Sequence, residues 1–210
     1  MKVCVLGEYG YGKALFGIGL SYGRTSGKQC FPDLFDKLDE WDVNKEITKY
    51  YQEEYVLFQR LEKVALKLAY KSDAESKFLR QISVILDIEA PLFWWKEADT
   101  YKVGTTAQSE STMHTLMKNS ITQSNFERPI SELTLKHLQE LRQAGEFEQL
   151  VNELPCGWLQ RRILTCNYAV LQNIYSQRCN HKLKEWHIFC DELISGLEHP
   201  DFIVKMYKAS

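Results

Sequence analysis

Residues 154–178 read LPCGWLQRRILTCNYAVLQNIYSQR, and the reading of this stretch decides the reading of the chain. From Leu159 to Arg178 the spacing predicts one amphipathic helix, with Cys166, Val170, Ile174 and Tyr175 on its apolar stripe. Asn167, Asn173 and Arg178 are its polar members able to face a common pocket from the helix and its end. A guanidinium beside two amides grips a phosphate or a planar heterocycle through its fork of donors. The alternative is an ordinary surface helix whose last cation suits the helix dipole. On periodicity alone the ordinary helix is the stronger reading.

Outward from this stretch, helices are predicted at Leu183–Leu197, Pro129–Arg142 (ending near Gly145) and Glu146–Leu154. Residues 103–128 are rich in Ser, Thr and Asn and read as a loop with a short helix, lining an active site or simply covering a surface. The run QISVILDIEAP at 81–91 alternates Val84, Leu86 and Ile88 with Ile85 and Asp87, which predicts a strand with one well-buried face. LFWWKEADTYK then reads as a short aromatic helix. Its Trp94 and Trp95, with Phe93 and Tyr101, either stack on a base or flavin or cement a core or subunit contact. Asn44 is placed to cap a long helix from Glu46 to Lys71, with Ile47, Tyr51, Tyr55, Phe58, Leu61, Ala65 and Leu68 on its stripe. Residues 23–45 read as loop and short helix, and Asp39, Glu40 and Asp42 as a solvated acidic stretch.

The N-terminus offers a strand at residues 2–6, a glycine-rich turn from Gly7 to Gly12, and a small-residue helix from Lys13 to Tyr22. That is the setting of a phosphate-binding loop, with Asp87 as an acidic strand end. However, Ala14 stands where a hydroxyl should meet magnesium, and the chain lacks alternating strands and helices. Cys179 with His181, and His187 with Cys190, have metal-like spacing but fall in or beside a helix, so no metal site is expected.

The chain has 210 residues, 44% hydrophobic and 12% aromatic, which suits one globular domain over 1–210. Its net charge of −2 gives no broad grip on nucleic acid but permits a small anionic ligand. Six cysteines without a CxxC pair, no signal peptide and no run of ~18 apolar residues predict a cytoplasmic protein with no membrane association.

The order Leu154-Pro155, Thr165-x-Asn167, Leu171-x-Asn173, Arg178, followed by a second helix, resembles the flavin-dependent thymidylate synthases (ThyX). The match runs without a gap from Leu154 to Arg178 and continues more weakly upstream. The resemblance implies an α/β (α+β) fold with a small, mostly antiparallel sheet packed with long helices and a helix-rich C-terminal half. It also implies a homotetramer with sites where subunits meet. It makes Arg178 the group that holds the pyrimidine and stabilises charge developing on it. It gives the flavin Asn167, Asn173 and Arg162, and gives the nucleotide Tyr101, Lys102, Thr106, Ser109 and Ser111. The implied activity is reductive methylation of dUMP or a related pyrimidine nucleotide, with FAD as cofactor and NADPH and methylenetetrahydrofolate as co-substrates.

The chain departs from the family pattern where charge matters. Tyr101, Lys102 and Val103 stand in place of Arg-His-Arg, and Met113, Val151 and Ala169 replace further arginines. Leu92 and Phe93 replace a Ser-Arg pair. Burying nucleotide phosphates without cations or backbone donors is costly. Lys102, Arg161, Arg162 and the Gly104-Thr105-Thr106 turn are the candidates to compensate. Alternatives to the flavin enzyme are a flavin-independent nucleotide-binding or nucleotide-sequestering homologue, a scaffold kept for structure alone, or a P-loop NTPase.

Overall fold

The computed structural model describes residues 1–25 and 52–205. The expected cap at Asn44, the acidic stretch at Asp39–Asp42, Cys30 and the stripe residues Ile47 and Tyr51 lie outside these residues, as does the side chain of Tyr55.

A four-stranded sheet organises the described residues: β1 (Lys2–Tyr9), β2 (Ser83–Pro91), β3 (Thr106–Ser109) and β4 (Leu159–Asn167), in the order β1-β2-β4-β3. Every pairing is antiparallel. In β2 the alternation predicted from sequence holds. Val84, Leu86, Ile88 and Ala90 are fully buried, and Ser83, Ile85, Asp87 and Glu89 on the opposite face are half-buried. Each large aliphatic buried on this face contributes roughly 1.5–3 kcal/mol.

Five of the eight α-helices among the described residues pack on the buried face. The eight are α1 (Tyr11–Ser21), α2 (Gln52–Leu68), α3 (Leu92–Ala98), the single turn α4 (Thr112–Thr115), α5 (Glu132–Ala144), α6 (Phe147–Asn152), α7 (Tyr168–Arg178) and α8 (Lys184–Gly196). One core joins β2 to residues of α1, α2, α3, α7 and α8. A smaller one joins Leu116, Ile121, Phe126, Leu135, Leu138 and Leu150. Ser131 caps α5 by accepting from the amide of Thr134, so the helix starts after Pro129, and Gly145 ends it in the left-handed region, where the end was expected.

Two expectations are corrected. The helix predicted from Leu159 to Arg178 is a strand as far as Asn167, and a helix only from Tyr168. Pairing decides this: β4 is hydrogen-bonded to β2 along its whole length and to β3 on its other edge. A central position in a sheet outweighs weak local helical preference. The four-residue spacing of Cys166 and Val170 spans the junction by coincidence. The loop predicted at 103–128 likewise contains β3, whose residues pair from Thr106 opposite Thr165 to Ser109 opposite Arg162.

The N-terminal glycine run holds no phosphate loop. β1 continues through Gly7 to Tyr9, and Gly10 alone separates it from α1. Gly10 has φ 88°, and a Cβ there would meet the Gln81 carbonyl oxygen at 2.7 Å, so the position requires glycine. Asp87 pairs with Cys4 midway along β1 rather than beside the turn, and its carboxylate is taken by Arg161, whose Nε donates to it at 2.7 Å.

Candidate functional site

The first turn of α7 is set by Asn167. Its Oδ1 accepts from the Val170 amide at 3.1 Å, satisfying one of the orphan donors of the helix start. Eleven residues on, Arg178 closes the same helix. Between them a hydrogen-bonded chain runs along one side of α7. Gln177 Nε2 donates to Asn173 Oδ1 at 2.9 Å, and the Tyr101 hydroxyl donates to Gln177 Oε1 at 2.9 Å. Arg178 Nε donates to the Tyr101 oxygen at 2.8 Å. Arg178 Nη1 then donates to Glu97 Oε2 at 3.0 Å, and the same oxygen accepts from Trp186 Nε1 at 2.9 Å.

Aromatic faces hold the guanidinium as well. Its carbon lies 4.9 Å from the Trp186 ring centre and 5.5 Å from that of Tyr101. The Arg178 side chain is thus ordered from three sides, yet 19% of it stays accessible. Hydrogen bonds link Arg178 to Asn173 through Tyr101 and Gln177 on an accessible side of α7, whereas Asn167 sits at the far end of the helix and serves as its cap, so the three predicted polar residues do not converge on one point.

The turn 102–105 runs beside the start of α7. Gly104 has φ 79°, and a Cβ there would meet Val170 Cγ2 at 2.9 Å and Asn167 Nδ2 at 3.5 Å. The Thr105 hydroxyl ties the turn back by donating to the Tyr101 carbonyl at 2.8 Å. Lys102 is exposed at its crest and makes no ion pair among the described residues.

Arg162 lies on the helix-covered face of β4. Its Nη1 donates to Asp99 Oδ1 at 2.8 Å, its Nε to Gln160 Oε1 at 3.0 Å, and it lies 4.2 Å over Trp95. Its charge is therefore neutralised within the chain. Ser109, across from Arg162, is exposed, and Thr106 is exposed on the opposite face of the sheet. Ser111, half-buried, precedes α4 and uses its carbonyl, not its hydroxyl, to hold Thr115. These hydroxyls therefore do not form one cluster with Arg178.

Trp94 and Trp95 are core residues, 1% and 2% exposed, with Trp94 packed 4.6 Å from Trp186. With Tyr101, Lys102, Arg162 and Trp186 they line a cavity of about 50 Å³. That volume is far below the roughly 300 Å³ of a small-ligand pocket, so a nucleotide cannot lie inside it. A ligand would rest on the accessible side of Arg178 instead. Glu97, Gln177, Trp186 and Asp99 complete the site and were not singled out in the sequence. Nothing in their spacing marks them, because α3 and α8 meet α7 only in the fold.

No family model and no curated protein matches this chain. Solved structures do match. Flavin-dependent thymidylate synthase ThyX from Helicobacter pylori, complexed with FAD and dUMP, superposes with a TM-score of 0.69 at 14% identity, covering 98% of this chain and 99% of the other. The chain has the ThyX fold. A second ThyX structure from that organism, also with FAD and dUMP, gives 0.70 at 13% identity over 97% of each chain. The UMP/dUMP methylase PolB from Streptomyces cacaoi, bound with 5-Br dUMP, gives 0.58 at 11% identity over 92% of this chain and 88% of its own. The ThyX-like architecture thus spans nearly the whole chain.

Whether the residues assigned to FAD suit it is decided by charge. Asn167 and Asn173 each keep a free amide nitrogen among the described residues, which suits the edge of a neutral ring. Arg162, already neutralised by Asp99, does not suit a pyrophosphate.

Proposed function

We propose that this protein binds a pyrimidine nucleotide along α7, with Arg178 holding the base. The observation that carries the reading is the network Asn173–Gln177–Tyr101–Arg178–Glu97, which preorganises a partly accessible guanidinium at a fixed place on a ThyX-like fold. Lys102 on the adjacent turn is the cation proposed for the phosphate, while Ser109, Ser111 and Thr106, which lie apart from Arg178, have no part in holding the base. The match to structures with dUMP supports a pyrimidine as the base. The nucleotide-binding reading without flavin is favoured by Arg162 and Arg178 each facing a carboxylate.

The second reading is flavin-dependent methylation of dUMP or a close relative, favoured by the free amides of Asn167 and Asn173. It calls for FAD, NADPH and methylenetetrahydrofolate, and for a homotetramer that supplies the missing cations from a neighbouring subunit. In either reading Arg178 orients the base and meets the negative charge that forms on it.

Titration calorimetry with dUMP tests the common part. Arg178→Ala is expected to weaken binding at least tenfold, the loss of one charge-assisted contact worth about 1.5–3 kcal/mol. Equal affinity in the two proteins would refute the assignment. A visible spectrum of the freshly purified protein separates the readings, since only the second predicts a flavin band.

A further inference from the structure

We infer that Glu97 is a specificity residue: its free carboxylate oxygen, beside the free donors of Arg178, reads the imide edge of uracil and rejects cytosine. This rests on the reading above that a pyrimidine sits at Arg178. The guanidinium has five N–H donors. Nε–H is used on Tyr101 and one Nη1 hydrogen on Glu97, which leaves Nη2 and the second Nη1 hydrogen without acceptors among the described residues. Glu97 Oε2 accepts from Arg178 and Trp186, with His181 Nε2 3.7 Å away. Its Oε1 accepts from no described residue, and 34% of the side chain is accessible.

The two groups are tied together by the 3.0 Å contact of Nη1 with Oε2, which leaves a donor and an acceptor on adjoining side chains. The pair is also neutral overall, which favours an uncharged ring over a phosphate at this point. Uracil presents a carbonyl acceptor next to the N3–H donor, matching Arg178 and Glu97 in turn. Cytosine presents an amino donor next to an N3 lone pair. With the ring held in one orientation by its sugar phosphate, so that position 4 faces Arg178, cytosine sets donor facing donor and lone pair facing carboxylate, and both contacts fail together.

Calorimetry on the full chain with dUMP and dCMP reads this directly. The wild type should prefer dUMP roughly 10- to 100-fold, the range for a two-bond match read on a base edge. In Glu97→Gln the amide oxygen keeps Arg178 and an N–H group takes the place of Oε1, so dUMP should weaken, dCMP should strengthen, and the ratio should fall at least tenfold. A ratio unchanged by Glu97→Gln, with both ligands still bound, overturns the role of Glu97. A ligand-side arm needs no variant. dUMP methylated at N3 lacks the donor Glu97 reads and should bind wild type at least tenfold more weakly, and equal binding overturns the inference. Failure of wild type to bind either nucleotide would instead remove the underlying reading of Arg178.

Discussion

Asn167 shows how one side chain carries two assignments that substitution can separate. The family resemblance gives it to a flavin, and the structure gives its Oδ1 to the Val170 amide as the cap of α7. Asn and Asp cap equally well, whereas Ala does not, at a cost of about 1 kcal/mol. Asn167→Ala should therefore lower the urea unfolding free energy by about that amount. Asn167→Asp should stay within about 0.5 kcal/mol of wild type while losing the Nδ2 donor. Equal losses in both variants would show that the cap is not what the residue supplies. The capping role was not read from sequence, because the helical spacing ran on through Asn167 and the pairing of β4 that ends the strand there is a tertiary fact. Nor was the partnership of Glu97 with Arg178, since the two stand 81 positions apart and meet only through the packing of α3 against α7 and α8.

At the level of elements, local pattern and tertiary pairing divide the success of the sequence reading. β2 was legible because alternation and a one-sided core produce the same two-residue period. β4 was not, since its Gln160, Arg161 and Arg162 hide that period. Arg162 points to the helix-covered face and becomes tolerable there only through Asp99 and Trp95. Burial also sets a charge at the end of β1. Glu8 accepts from the Tyr168 hydroxyl and from the Glu198 amide, tying β1 to the start of α7 and to the chain beyond α8. Burial raises the Glu8 pKa above its ordinary value, against the lowering effect of those two hydrogen bonds. A carboxyl whose folded pKa is raised favours the fold most when protonated. Its contribution is complete below the unfolded value of about 4.3 and declines as pH rises through the folded value. Relative to Glu8→Gln, wild type should therefore gain stability between pH 7 and pH 4. Urea melts of the two proteins across that range, showing a constant difference, would contradict the raised value.

For the whole molecule, a small, mostly antiparallel sheet packed with long helices was expected from the family pattern, and the superposition over 98% of the chain agrees with it. The fold leaves the face of the sheet opposite the core in need of an explanation. Leu6 and Tyr9 are 52% and 54% exposed there, and neither these two nor Ile85 and Ile163 join either core. Acidic and basic groups flank this strip as matched pairs, Lys2 with Glu89 and Arg161 with Asp87. A surface carrying an apolar middle and both charge signs is complementary to a copy of itself turned by a two-fold axis. The cavity behind Tyr101 is also too small for a nucleotide, so a neighbouring subunit is a natural source for the rest of the ligand's enclosure. Native mass spectrometry should accordingly find a tetramer. Leu6→Glu places a charge in the apolar middle at an exposed site, where the monomer tolerates it. That variant should dissociate to smaller species with its thermal unfolding as a monomer intact, and its affinity for dUMP should fall at the same time. A tetramer that survives the substitution would move the subunit contact away from this face, and a wild-type monomer that binds dUMP tightly would show that one chain encloses the ligand unaided.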